Sequence, residues 1–358
     1  MHSLISIVLL LMSASVMTVQ AATLSTPYHL DRQKLPYGCG SCHVGFDFRS
    51  GGGQEGCLTC HGSPARRKSG LIRSGTELAD FERELKKPYR HPIMESRSVH
   101  SNKEILPETD HKAPRHSDCV DCHSPHQVSP VNKFAGIKGK RTGNILTDVT
   151  AEYQLCYLCH SDSANLPGRY VNKRVEFAIS NPSFHPVEGE GKNLAVVSLI
   201  KPYKEKKATV NDISVIKCGD CHGSDDPSAP SGPHSSNYQY ILRDNYSTKD
   251  NEFESTFAYS LCYRCHNRTS ILSDESFKFH SLHVRGNKSG MPGNGGTSCH
   301  TCHTSHGSPE YGYLIRFNTD IVSPSSSGFL KFKEKGAGTF RGECFLSCHG
   351  VDHNPKAY

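Results

Sequence analysis

The chain has 358 residues, of which only 35% are hydrophobic; Trp is absent, and Gly and Pro together number 51. A domain of this length with an ordinary packed core would carry more apolar side chains, so a fold resting on protein packing alone is excluded. The formal charge of +6 points to a nucleic-acid or membrane-surface partner only if nothing anionic is attached to the chain, and 16 cysteines indicate that something is.

The first residues run Met1-His2-Ser3, then the apolar stretch Leu4 to Met12, then small residues ending in Val19-Gln20-Ala21-Ala22. The stretch is too short to span a bilayer and Val19-x-Ala21 is a cleavage site, so residues 1–21 read as a secretory signal peptide. The alternative is an anchor retained at the N-terminus. No cysteine stands at the cleavage site, and no later apolar stretch is long enough to cross a membrane. The expected location is the periplasm, the outer membrane or the exterior.

Beyond this segment every cysteine belongs to one recurring word. Cys39/Cys42/His43, Cys57/Cys60/His61, Cys119/Cys122/His123, Cys156/Cys159/His160, Cys218/Cys221/His222, Cys262/Cys265/His266 and Cys299/Cys302/His303 share the spacing C-x-x-C-H. Cys344/Cys348/His349 has three residues between its cysteines. With histidine at about 6% of positions, eight chance placements after the second cysteine have a probability on the order of 10⁻¹⁰. Zinc ribbons and disulfide frameworks give no reason for those histidines. C-x-x-C-H is the attachment word for c-type haem, two thioethers with an adjacent proximal histidine on the iron. The sequence therefore predicts eight covalent haem c groups, with proximal ligands His43, His61, His123, His160, His222, His266, His303 and His349.

Eight haems leave about 42 mature residues each. The expected fold is mainly irregular, with short helices wrapped around the cofactors, and much of the cofactor-binding free energy should appear as folding free energy. Eight ferric haems with their propionates add about −8, bringing the holoprotein near −2, which removes the case for a nucleic-acid partner. Clusters such as Arg66-Arg67-Lys68, Lys138-Lys140-Arg141 and Lys204 to Lys207 then read as propionate neighbours or solvated surface.

In chain order, 13 residues separate His43 from Cys57, including Gly51-Gly52-Gly53, which should form no stable element, and 57 separate His61 from Cys119. Within the second gap a short helix is expected between Ser74 and Lys87, ended by Pro88, with Leu78, Phe81 and Leu85 on one face. The later gaps are 32, 57, 39, 32 and 40 residues. Leu155-Cys-Tyr-Leu-Cys-His160 matches Leu261-Cys-Tyr-Arg-Cys-His266, and Tyr238-Gln-Tyr-Ile-Leu-Arg-Asp-Asn245 matches Tyr311-Gly-Tyr-Leu-Ile-Arg-Phe-Asn318. These matches indicate duplication of a two-haem module, giving modules at 23–75, 76–165, 166–270 and 271–358, joined as one continuous haem wire.

Thirteen histidines remain once the signal and the eight proximal positions are set aside. Those at module-equivalent places are the distal candidates. His91, His185 and His280 or His283 precede the motif pairs, while His126, His234 and His306 follow the first motif of each pair. These serve the last three modules; the first draws on His29, His100, His111, His116 or whichever of His280 and His283 is free. His300 and His353 read as bystanders. Outside the signal only Met94 and Met291 could replace histidine, so bis-histidine ligation and comparatively low potentials are expected.

The words Cys119-Val-Asp-Cys-His-Ser-Pro-His126, Leu155-Cys-Tyr-Leu-Cys-His160 and Phe279-His-Ser-Leu-His-Val284 leading into Cys299-His-Thr-Cys-His-Thr-Ser-His-Gly307 resemble the bacterial multihaem c-type cytochromes with doubled CxxCH motifs. The resemblance covers most of the mature chain and implies closely packed bis-histidine haems passing electrons in the periplasm or outside the cell. Respiration of metal oxides or other external acceptors is the role it implies. Redox partner proteins or such acceptors would be the partners, with self-association into a filament or membership of an outer-membrane porin–cytochrome conduit as further arrangements. The expected activity is electron carriage rather than catalysis, so no catalytic residue is expected. The alternative is an octahaem reductase or oxidase of a small nitrogen or sulfur compound, which needs one iron with an open position.

Overall fold

In the computed structural model the described residues are 28–31, 35, 37–43, 53–69, 78–94, 116–129, 131–143, 145–162, 171–193, 195–286 and 295–358. The signal segment, His100, His111, Met291, Gly51, Gly52 and the start of the helix expected from Ser74 lie outside them.

Seven of the eight motifs wind on one helical turn, because two residues between cysteines bring both sulfurs to one side of such a turn. Cys39 lies on the 3₁₀ turn Gly38–Ser41; Cys57/Cys60 and Cys156/Cys159 end the helices Gly53–His61 and Glu152–His160. Cys119–Cys122, Cys218–Cys221 and Cys299–Cys302 are each a single turn, and Cys262 lies in Ser260–Tyr263. In five of the seven, the histidine N–H closes the turn on the first cysteine's carbonyl at 2.8–3.0 Å. Two turns are also fastened at their start: Asp121 and Asp220 accept from the backbone N–H of Asp118 and Lys217 at 2.6 and 2.8 Å. This satisfies donors that a helix start otherwise leaves unpaired.

Nine short strands occur among the described residues: β1 (Tyr89–Arg90), β2 (Lys138–Lys140), β3 (Leu146–Asp148), β4 (Ser183–Phe184), β5 (Ser235–Ser236), β6 (Gly307–Ser308), β7 (Lys331–Glu334), β8 (Gly342–Cys348) and β9 (Val351–Ala357). They pair antiparallel as β1–β5, β2–β3, β4–β6 and the three-stranded β7–β8–β9. The β1–β5 and β4–β6 pairs are equivalent links, each tying the segment before one motif pair to the segment after a later motif. Their serines Ser183, Ser235, Ser236 and Ser308 are fully buried. Three of these hydroxyls donate to backbone carbonyls, Ser183 to Tyr311, Ser236 to Leu242 and Ser308 to Ile315, at 2.6–2.7 Å, which removes the cost of burying them.

The apolar core is divided into three small clusters: Tyr153/Tyr157/Phe177/Val187, Ala258/Tyr259/Leu272/Val284 and Leu58/Leu85/Ile93. Between them runs one continuous cavity of about 5020 Å³, lined by all 16 cysteines. Shared among eight motifs this is about 630 Å³ each, within the roughly 300–1,000 Å³ of a single small-molecule site. No helix among the described residues is long and apolar enough to cross a membrane.

Three local expectations meet the structure differently. The helix expected from Ser74 is described as Phe81–Glu84, N-capped by Asp80, whose side chain accepts from Arg83 N at 3.0 Å. Gly53 opens a helix rather than a loop, drawn in by the apolar packing of Leu58. Arg66 is engaged by Glu55 at 2.5 Å and Glu82 at 3.5 Å, and Arg67 donates to Leu78 O at 2.6 Å, so protein groups hold both side chains.

A buried polar knot joins the second and third modules. Lys87 Nζ contacts Glu84 Oε2 at 2.8 Å, Asp225 Oδ1 at 2.9 Å and Ser224 Oγ at 2.7 Å, and Glu84 is 1% exposed. Lys87→Ala would leave that buried carboxylate with only the exposed Arg83 at 3.7 Å beside it, costing roughly 3 kcal/mol. Removing the solvent-exposed partner of Asp148 by Lys138→Ala should cost about 1 kcal/mol or less. Denaturation midpoints of the two holoproteins, measured side by side, check the contrast.

Candidate haem-ligand pairs

Histidines from separate segments of the chain meet in pairs along the cavity, with ring planes that range from nearly parallel in His43/His126 to nearly perpendicular in His29/His61. His43 stands opposite His126 with ring centroids 6.0 Å apart, and His61 opposite His29 at 6.1 Å. His123 faces His234 at 6.4 Å, His160 faces His91 at 6.4 Å, His222 faces His306 at 6.3 Å, and His266 faces His185 at 6.5 Å. His303 faces His280 and His283 faces His353, both at 6.3 Å. An imidazole centroid lies roughly 1.1 Å behind its nitrogen, so two rings on one iron through bonds of about 2 Å would stand about 6.3 Å apart. The eight separations, 6.0–6.5 Å, all lie close to that distance.

Hydrogen bonds at the back of the rings decide which nitrogen faces inward. The Nδ1 atoms of His29, His91, His185 and His283 lie 2.7–2.8 Å from the carbonyls of Pro125, Pro233, Ser305 and Phe279. Those of His222 and His303 lie 2.8 and 2.9 Å from the carbonyls of Tyr240 and Tyr313, and that of His123 lies 3.3 Å from Lys133 O. A carbonyl only accepts, so each Nδ1 carries the proton and each Nε2 keeps its lone pair, the arrangement that orients histidine toward a metal. Burial pushes His160, His234 and His266 down to about 4 and His280 to about 3, leaving them neutral at pH 7 as metal binding requires.

The repeated Tyr-x-Tyr word acquires a role here that its repetition alone did not disclose. Tyr240/Ile241 and Tyr313/Leu314 all adopt positive φ, between 56° and 61°, a strained state for such residues. It turns the Tyr240 and Tyr313 carbonyls onto the proximal histidines. The second module lacks the word, and Lys133 O takes the same position. Phenylalanines buttress two distal rings edge-on, Phe81 against His234 at 4.8 Å and Phe177 against His306 at 5.1 Å.

The sulfurs lie in matching places. Cys57 contacts Cys119, Cys156 contacts Cys218 and Cys262 contacts Cys299 through side-chain hydrogen bonds. Cys42 lies within electrostatic reach of Cys60, Cys122 of Cys159, Cys221 of Cys265, and Cys302 of Cys344 and Cys348. Consecutive motifs are thus neighbours along the whole chain. Burial pushes Cys122, Cys221 and Cys302 up to about 12, an environment suited to neutral sulfur, as in a thioether, and adverse to a zinc thiolate. Among the described residues no group of three or more His, Cys, Asp or Glu side chains converges to hold a bare metal ion.

Of the distal candidates, His29, His91, His126, His185, His234, His280, His283 and His306 all enter facing pairs, whereas His116 lines the cavity outside them. The partition differs from the one expected from sequence. His126 meets His43 of the first module instead of a ring of its own module, and both His280 and His283 are used. His353, read as a bystander, faces His283, while His349 instead places Nε2 2.9 Å from Asp250 Oδ2. His300 packs edge-on against Tyr246 at 6.3 Å, and Met94 is exposed. Comparison with family models, curated proteins and solved structures finds no match to the chain.

One ring is anchored by a carboxylate. His306 Nδ1 lies 3.0 Å from Glu176 Oε2, which Lys173 also contacts at 2.6 Å, while Arg316 contacts Oε1 at 2.9 Å. Burial alone would raise Glu176, but hydrogen bonds from His306 and Lys173 outweigh it and hold the carboxyl at about 2. A charged acceptor makes the imidazole a stronger donor to iron. For a haem held between His222 and His306, Glu176→Gln should therefore raise the midpoint potential by about 40 mV, the equivalent of about 1 kcal/mol of lost hydrogen-bond strength. Spectroelectrochemical titration of wild type and variant reads this as the upward move of one component of eight.

Proposed function

We propose that the chain is an octahaem c-type cytochrome that relays electrons through bis-histidine haems in periplasmic or extracellular respiration. The observation that carries the proposal is the set of eight facing histidine pairs, one for each cysteine pair, at a single separation that suits a shared iron. Seven of these pairs contain the histidine of a C-x-x-C-H word. One-electron transfer is the haem's own chemistry. The chain's contribution is to hold sixteen imidazoles, to set the tautomers of seven of them through carbonyls at Nδ1, and to bury ring faces away from bulk water.

The carrier role rests on two further features. Two imidazoles at every motif fill both axial positions, whereas a reductase or oxidase needs an iron with an open position. The cysteine contacts place successive porphyrin attachment points next to one another, from the first motif to the last. Electrons would pass along the chain in sequence order, toward a redox partner protein or an external acceptor.

Electron paramagnetic resonance of the oxidised protein, with intact mass and haem content from the same sample, tests the proposal. Eight covalent haems and low-spin signals alone are expected. Both rhombic and strongly anisotropic components should appear, because His43/His126 and His222/His306 have planes 8° and 18° apart while His29/His61 lie at 86°. Parallel imidazole planes split the iron d orbitals and crossed planes leave them nearly degenerate. A high-spin signal of one iron equivalent would favour the oxidoreductase instead, and absence of covalent haem would end the proposal.

A further inference from the structure

The last motif is built on a different element from the other seven. Cys344 and Cys348 lie on strand β8, and β9 returns beside it. Side chains alternate along a strand, so Cys344, Leu346 and Cys348 share one face. His353 is registered directly opposite Leu346, and opposed residues of an antiparallel pair point to the same side. The hairpin therefore presents a histidine between two cysteines on one surface. The cavity lining agrees with this alternation: Cys344, Leu346, Cys348 and His353 border the cavity, whereas Phe345, Ser347 and Asp352 do not.

His349 occupies the turn itself. His349 and Gly350 have φ of 51° and 76°, and Cys348 pairs with Val351, which defines a two-residue hairpin with both central residues left-handed. In the helical motifs the backbone N–H of the following histidine closes on the first cysteine, as His303 does on Cys299 O at 2.9 Å; His349 instead makes a hairpin corner. Its Nε2, the nitrogen that faces inward in the other motifs, lies 2.9 Å from Asp250 Oδ2. His353 meanwhile stands 6.3 Å from His283, the same separation as the other seven pairs. The His283 Nδ1 is fixed at 2.7 Å from Phe279 O, which aims its Nε2 inward.

We infer that the haem on Cys344 and Cys348 takes His353 and His283 as its axial ligands, so that the eighth motif reads C-x-x-x-C-x-x-x-x-H on a β-hairpin, with His349 held away from the iron by Asp250. The inference rests on the eight-haem reading. It divides the roles of the two C-terminal histidines opposite to the way the sequence suggests.

The test compares holoprotein variants by haem count and magnetic circular dichroism. His353→Ala should turn one haem of eight high-spin, or release that haem alone, whereas His349→Ala should keep eight low-spin haems. His353→Met guards against a maturation defect: it should retain eight low-spin haems and gain one His/Met charge-transfer band, with one potential raised. The inference is overturned if His349→Ala produces the high-spin haem while His353→Ala stays wholly low-spin. Wild-type protein with seven haems and alkylatable Cys344 and Cys348 would also overturn it, while leaving the electron-carrier reading for the other sites. Wild-type protein without covalent haem would overturn both.

Discussion

Everything in this molecule depends on imidazoles held in opposition with their proton on the outer nitrogen. A histidine facing a cavity can rotate, flip or protonate; each change costs little for a free side chain. Here a carbonyl behind seven of the rings removes the first two freedoms, and burial opposes the third at His91, His123, His185, His222 and His303. Because the anchors are backbone atoms, the ring positions are set by chain geometry instead of by other flexible side chains. That accounts for the paired left-handed residues at Tyr240/Ile241 and Tyr313/Leu314, whose strain would otherwise have no return.

The anchors also bind modules to each other. His91 donates from Nδ1 to Pro233 O, and its backbone N–H reaches His234 O at 3.2 Å. His185 relates in the same way to Ser305 and His306, with the backbone bond at 2.8 Å. One short strand pair thus positions two histidines of two different facing pairs. Any of the first three two-motif units cut out by itself would lack a partner for its first histidine, since that partner lies in the next unit. The repeat is sequential in sequence and interlocked in space, and the small apolar clusters suffice because each joins elements that the ligands already align.

How far the sequence disclosed this follows from the range of the interactions. The helical C-x-x-C-H turns are local, so spacing alone revealed them. The histidines outside the C-x-x-C-H words were singled out mainly because they recur at equivalent places, and eight of the nine named face another histidine. Which ring each one meets depends on strand pairings between segments more than a hundred residues apart, such as β1 with β5, two residues long and without a periodic signature. The C-terminal sheet was missed for a related reason. Reading Cys344 and Cys348 as a stretched helical word hid the alternation of β8, and His349 followed the second cysteine as in every other motif. The signal that could have identified the hairpin was Gly350, placed directly after His349 where a two-residue turn needs a left-handed residue.

The last module departs from the interlocking pattern of the first three. His43, His123 and His222, the first sites of the first three modules, each receive a ring from the module that follows, through His126, His234 and His306 respectively. His61, His160 and His266, the second sites, receive His29, His91 and His185, which precede them in the chain. In the fourth module the first histidine is paired within its own segment instead: His303 faces His280, while His283, one helical turn on, stands in the place that His29, His91 and His185 take in the earlier modules. The two histidines that looked interchangeable in sequence therefore meet different partners, His280 turning to His303 and His283 to His353.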